Sequence, residues 1–184
     1  MTRTEIKFAG FGGQGIVLSG FILGRAVAIH EDRHAVLTQS YGPEARGGAC
    51  SAEIVISDTM VDYPYIDIPQ ILVLMSQEAY MTYHTKVRKD GMIIYDKDLV
   101  NLNSANKVKK LYGIPATRIA EELGKKIVAN IVMLGALIAI SDVVEKDAMA
   151  KAVESSVPKG LVELNMKAFE RGYEVGMEVK GQKA

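Results

Sequence analysis

Apolar positions along the chain switch between a spacing of two and a spacing of three to four, and each switch marks an element. Ile6-Lys7-Phe8-Ala9 reads as a short strand. Ile16 to Ile29 is apolar on more than one face, with small Gly20, Gly24, Ala26 and Ala28 among the large residues, as expected of a helix packed closely on a sheet. His34 to Thr38 and Ser51 to Ser57 read as strands. Val61 to Pro64 reads as irregular, because Pro64 and Pro69 cannot donate to a ladder. Ile71 to Met75 is apolar throughout, the pattern of a strand covered on both faces. Ser76 then caps a helix over Gln77 to Arg88, closed by Lys89-Asp90-Gly91. Met92 to Tyr95 is a further strand and Val108 to Tyr112 a weaker one, ended by Gly113 and Pro115. Thr117 is the expected cap of a short helix through Leu123. Asn130–Ile140, Lys146–Ser155 and Lys159–Tyr173 complete the helical set.

Strands alternating with helices, followed by a helical C-terminal third, predict the α/β class. The expected architecture is a single doubly wound, mostly parallel sheet flanked by helices, one domain over residues 1–184. The opening strand, helix and strand predict a βαβ unit with a right-handed crossover. No linker, low-complexity tract or repeat divides the chain.

Composition narrows the function classes. Lys plus Arg (22) balances Asp plus Glu (22) without long runs of one sign, so nothing predicts binding to nucleic acid or to an anionic membrane. The apolar run Ile127 to Ile140 is too short to span a bilayer and contains Asn130 and Gly135; it reads as a core helix. The chain starts directly in a strand-like segment, so no secretory signal is expected and the predicted location is cytoplasmic. Cys50 is the single cysteine. It can form no internal disulfide and cannot by itself hold an iron–sulfur cluster.

The candidate chemistry begins at Gly10-Phe11-Gly12-Gly13-Gln14-Gly15, between the first strand and the first helix. Glycine brings a ligand against bare peptide groups, and a helix opening there aims unpaired N–H groups at one point, so an anion is the natural occupant. The spacing fits G-x-G-x-x-G, the dinucleotide fingerprint. NAD binding would also call for an acid at the end of the second strand. That strand runs instead into Gln39-Ser40-Tyr41-Gly42, while Glu31 and Asp32 lie before it. The loop continues through Pro43, Glu44, Ala45, Arg46, Gly47 and Gly48. Arg46 could face the Gly12-Gly13 turn across one crevice and add a charged fork suited to a pyrophosphate. A self-contained NAD- or flavin-dependent oxidoreductase and a purely structural interaction subunit remain the alternatives.

The two loops together, Gly10 to Gly15 and Gln39 to Gly48, resemble those of the gamma subunit of the 2-oxoacid:ferredoxin oxidoreductases. Pro69 to Tyr80, Asp90 to Asp96 and Lys126 to Gly135 extend the likeness over most of the chain. The form Ser40 to Cys50 is more similar to the 2-oxoglutarate branch than to the pyruvate branch, although pyruvate and indolepyruvate enzymes stay open. The resemblance implies a non-catalytic subunit contributing to coenzyme A binding and complex assembly. Thiamine diphosphate, magnesium and the iron–sulfur clusters would sit on partner alpha, beta and ferredoxin-like delta subunits, and electrons would leave to ferredoxin. Carried over by position, Gly12, Gly13, Gln14 and Gly15 would meet phosphate through N–H groups and the Gln14 amide. Arg46 would pair with the same or a neighbouring phosphate, and Ser40, Gly42, Gly47 and Gly48 would shape the wall.

Other chemistry-bearing residues read as structural. Glu44 is the expected orienting partner of Arg46, and Cys50 a small buried residue. His30, His34 and His84 share no metal spacing. Met75, Met81, Met92, Met133 and Met149 read as packing.

Overall fold

The computed structural model describes residues 3–42, 48–103 and 108–182. In chain order the elements are β1 (Arg3–Phe11), α1 (Ile16–Arg25, continued by a π-turn over Ala26–His30), β2 (His34–Tyr41), β3 (Ala49–Ser57), β4 (Ile71–Leu74), α2 (Gln77–Tyr83), β5 (Met92–Asp96), β6 (Lys110–Ile114), α3 (Ala116–Glu122), α4 (Ala129–Ser141), α5 (Lys146–Ser156) and α6 (Val162–Gly181). Single 3₁₀ turns at Lys126–Val128 and Lys159–Leu161 lead into α4 and α6.

The strands form one sheet in the order β2-β3-β1-β4-β5-β6. β1, β4, β5 and β6 run parallel, and β3 runs antiparallel to both of its neighbours. The mostly parallel α/β sheet is therefore as expected, with one correction. β1 and β2 share a direction but are not neighbours, because β3 returns from β2 and inserts between them. The result is that the connection between β2 and β3 begins and ends at the carboxyl edge of β1.

Side chains on the inner strands alternate between two cores. Ile6, Phe8, Ile71, Val73 and Ile94 face α1 and α3 to α6; Leu72, Leu74 and Ile93 face α2 with Tyr80, Val100 and Val108. Twelve of the thirteen residues of α4 are buried, so this helix is interior on all sides. α6 reaches it through glycine. A Cβ on Gly172 would strike the Val132 carbonyl, and one on Gly176 would lie 2.8 Å from Ala136 Cα. Gly135 is thus core, as its apolar setting predicts. Among the described residues, no helix is long and apolar enough to cross a membrane.

Several boundaries differ from expectation for local reasons. α2 stops at Tyr83, where His84 turns its Nδ1 to the Tyr80 carbonyl, 2.8 Å away, and stacks on the Tyr80 ring. β6 runs on through Gly113, whose missing side chain leaves room for the Tyr95 ring. Thr117 is not the cap of α3 but lies inside its first turn, where its N–H and hydroxyl both donate to Asp96. Met75, Met133 and Met149 are core, whereas Met81 is 58% exposed and does not pack as its run suggested.

Candidate functional site

α1 and α2 leave neighbouring strands, β1 and β4, and cross to opposite faces of the sheet. That divergence opens a crevice at the carboxyl edge, the position at which open α/β sheets bind ligands. A cleft of about 260 Å³ lies there, lined by Gly13, Gln14, Met75, Thr117, Lys126 and Ile127 among others.

Its floor is the glycine turn. Gly13 and Gly15 hold φ of +94° and +74°, left-handed values that favour glycine. Gly15 is also pressed against Asn130, whose Nδ2 donates to the Gly15 carbonyl at 3.3 Å. Asn130 is buried at the start of α4, so the turn is tied to the helical layer. The Gln14 amide is employed structurally: Oε1 accepts from Phe11 N at 2.6 Å and Nε2 donates to the Met75 carbonyl at 2.7 Å, joining the loops after β1 and β4. A Cβ on Gly10 would lie 2.5 Å from that Oε1, so Gly10 makes room for the strap.

Three helices leave strand ends at this edge and differ in how their first N–H groups are met, while α4 starts beside them without a side-chain cap. Ser76 Oγ accepts from Ala79 N in α2 (3.1 Å), and Asp96 Oδ2 accepts from Thr117 N in α3 (3.0 Å). α1 has no side-chain cap. The N–H groups of Gly13, Gly15, Ile16 and Val17 have no hydrogen-bond partner among the described residues. Bare donors at the positive end of a ten-residue helix are chemically suited to an anion. Lys126, its side chain 64% exposed and 3.7 Å from Glu121, brings a cation to the same cleft.

Of the residues singled out in the sequence, Gly12, Gly13, Gln14 and Gly15 form the turn. Gly48 is brought to it directly, since Gly12 N donates to the Gly48 carbonyl at 2.9 Å. Gly42 closes the other end of the same connection by donating to the Ala49 carbonyl at 2.7 Å. Ser40 stands further off: it pairs with Ser51, which pairs with Ala9, so β3 separates Ser40 from β1 by two strand spacings, about 10 Å. Glu44, Arg46 and Gly47 lie outside the described residues. Cys50 is buried in β3 opposite Gly10, and burial pushes its thiol up, which suits a packing residue.

Sequence reasoning passed over Lys126, Thr117, Asp96 and Asn130 as site residues. Two signals were available. Lys125-Lys126 stand before the start of α4, where a helix dipole disfavours cations, and Asn130 is a lone amide in an apolar run. Asp96 is fully buried; desolvation raises its carboxyl pKa against the lowering effect of hydrogen bonds from Thr117 and Asp98.

The sequence profile of the pyruvate ferredoxin/flavodoxin oxidoreductase family matches residues 5–175. A 2-oxoglutarate synthase subunit KorC from Methanocaldococcus jannaschii is 52% identical over 179 residues, covering 96% of each chain. A keto/oxoacid ferredoxin oxidoreductase gamma subunit from Geobacter sulfurreducens superposes with a TM-score of 0.84 at 40% identity, over 95% of this chain and 99% of that one. The same fold occupies 32% of a longer chain in the 2-oxoglutarate:ferredoxin oxidoreductase of Magnetococcus marinus, solved with 2-oxoglutarate, coenzyme A and succinyl-CoA. There the TM-score is 0.86 over 97% of this chain, at 20% identity.

Proposed function

Because the chain belongs to the pyruvate ferredoxin/flavodoxin oxidoreductase family, we propose that it serves as the gamma subunit of a 2-oxoglutarate:ferredoxin oxidoreductase and supplies part of the coenzyme A site. The observation that carries the ligand assignment is the uncapped start of α1 at the switch point, between two helix starts that already have acceptors. Coenzyme A offers a pyrophosphate to bare N–H groups at Gly13, Gly15 and the first turn of α1. Lys126 adds charge in the same cleft, and Arg46 is assigned to the same or the neighbouring phosphate by the family resemblance alone. Gly42 and Gly48 bound the connection that carries Arg46, on the same side of the site, whereas Ser40 stands two strand spacings away. Gln14 acts by holding the turn, through the carbonyl of Met75.

The cleft is smaller than the roughly 300–1,000 Å³ of sites that engulf a drug-sized ligand, so it suits a segment of coenzyme A with the remainder held by partner chains. A lone cysteine supplies too few thiolates for a four-cysteine cluster. Iron–sulfur clusters would then sit on partner chains, and the family resemblance implies that thiamine diphosphate and its magnesium also belong to partner alpha, beta and ferredoxin-like delta subunits. These decarboxylate the 2-oxoacid and pass its electrons to ferredoxin, while the present chain binds and orients the thiol substrate that takes up the acyl group. NAD is disfavoured by the sheet order. The strand beside β1 on the side of β2 is the antiparallel β3, and the described residues at the edge, Ser40 and Tyr41 of β2 and Gly42 after it, carry no acid for a ribose.

The test is reconstitution of the whole complex with Arg46→Ala or Gly13→Val, followed by the KM for coenzyme A in 2-oxoglutarate oxidation. A rise of tenfold or more is expected for each. An unchanged KM in an assembled complex overturns the binding role and favours an interaction subunit.

A further inference from the structure

We propose that the segment over residues 58–68 is the surface by which this chain docks on a partner subunit, one whose face is apolar at its centre and carries lysine or arginine around it. This rests on the gamma-subunit reading above and concerns the edge of the sheet opposite the glycine turn.

The position follows from the ladder. Ser57, the last residue of β3, pairs with Arg3 at the start of β1 and with His34 at the start of β2, and Gln70 N donates to the Glu5 carbonyl at 2.9 Å. The connection from β3 to β4 therefore runs along the amino edge of β1. It contains no helix or strand, and connections of this length without structure of their own are uncommon in compact domains and mostly functional. It is nonetheless fixed. Ile66 and Pro69 are buried, Arg3 Nη2 donates to the Tyr63 carbonyl at 2.9 Å, and Arg88 N donates to the Pro69 carbonyl at 3.0 Å.

What this fixed segment displays is apolar. Met60, Tyr63, Tyr65 and Ile68 are each more than half exposed, although burying side chains this large is the main gain in folding. The Tyr63 and Tyr65 rings meet edge to face with 5.6 Å between centroids, so the pair is ordered before a partner arrives. Preordered tyrosines lower the entropy cost of association and are the kind of residue that dominates interface energies.

Charge selects the occupant. No lysine or arginine occurs between Arg46 and Lys86, whereas Asp58, Asp62 and Asp67 lie within the segment. Asp62 and Asp67 are exposed and make no ion pair among the described residues. The arginines that approach are engaged elsewhere: Arg3 with Glu5, Arg33 with Glu31 and Asp58, and Arg88 with Asp90. A second copy meeting this surface about a two-fold axis would bring the same carboxylates against each other, which costs affinity. A face with cations around an apolar centre gains both the burial and the charge pairing, so the occupant is a different chain.

The experiment co-expresses the whole complex with tagged variant and untagged wild-type copies of this chain and reads their ratio in the purified enzyme by mass spectrometry. Tyr65→Ser with Ile68→Ser, and separately Asp62→Lys with Asp67→Lys, are each expected to be incorporated about tenfold less than wild type. Complexes that do take up a variant should keep the wild-type KM for coenzyme A, since the glycine turn stands at the opposite edge. Equal incorporation of every variant overturns the proposal. So does a deficit confined to Leu18→Ser with Phe21→Ser, which would move the interface to the exposed face of α1. A dimer of the isolated chain in light scattering that is abolished by Tyr65→Ser with Ile68→Ser would give the surface to a second copy, and also overturns it. If a variant proves unfolded, the wild type still decides: hydrogen exchange over residues 58–68 should slow on assembly, and unchanged exchange overturns the proposal. A wild-type chain that enters no complex overturns the gamma-subunit reading itself.

Discussion

Gly13 and Gly15 sit two residues apart with similar left-handed φ values, yet alanine should cost very different amounts at the two positions. At Gly13 a Cβ meets nothing within 4 Å among the described residues, so Gly13→Ala carries the backbone term alone, about 1–2 kcal/mol. At Gly15 the same backbone term applies, and the Cβ also collides with the Asn130 side chain, 2.7 Å from Cγ. Asn130 is buried and cannot swing into solvent, so an overpacking term of about 1–3 kcal/mol is added, for a total near 3 kcal/mol. Asn130→Ala alone loses one hydrogen bond, to a carbonyl that still accepts from Ser19 N and Ser19 Oγ, and leaves a small void, about 1–2 kcal/mol. In the double variant the contacts with the amide group are gone and only the one with Cβ, 3.2 Å, remains, so Gly15→Ala with Asn130→Ala should be more stable than the sum of the singles by about 1–2 kcal/mol. Urea denaturation of the four variants and wild type, with m held constant as the check on two-state behaviour, measures every term. Equal costs for Gly13→Ala and Gly15→Ala, or a cycle that closes to zero, would show that Asn130 does not press on the turn.

Three further outcomes follow from the same geometry. Gly135→Ala places a Cβ against the Phe169 carbonyl and 2.7 Å from Tyr173 N, both backbone atoms that no rotamer change can move, so a loss of about 3 kcal/mol or more is expected by urea denaturation, larger than for any surface alanine. Burial raises the Asp96 carboxyl above its ordinary 3.8, so the native state holds that proton more tightly than the unfolded chain. The stability this supplies is complete below 3.8 and is lost as pH rises through the higher folded value; Asp96→Asn should remove that pH-dependent fall from the unfolding free energy, and identical pH profiles would refute the burial effect. Cys50, buried and raised by desolvation, should react with a thiol reagent at pH 8 many-fold more slowly in the native chain than in urea, and equal rates would contradict its placement in β3.

The sheet was legible because its strands obey one rule each: Ile71–Leu74 is apolar throughout and lies fully buried between two helical layers, and Ser76 caps α2 as its position predicts. What stayed hidden was long-range. Nothing local in His34–Tyr41 says that the strand following it will return and insert beside β1, since an edge strand and an inner one can carry the same alternation. Thr117 was misassigned for the same reason. A threonine before a helical run looks like a cap, but the acceptor comes from Asp96, twenty-one residues earlier on another strand, and frees Thr117 for the cleft wall. The glycine turn marked one half of the site because its function is written into the backbone. The other half is made of ordinary side chains whose meaning depends on what they face. Lys126 reads as a surface lysine until the turn leading into α4 brings it to the cleft, and Asn130 as a flaw in an apolar helix until its amide reaches the Gly15 carbonyl. A sequence therefore announces where a chain must bend for an anion more readily than which groups will surround it, because bending is a local demand and encirclement is a property of the assembled sheet edge.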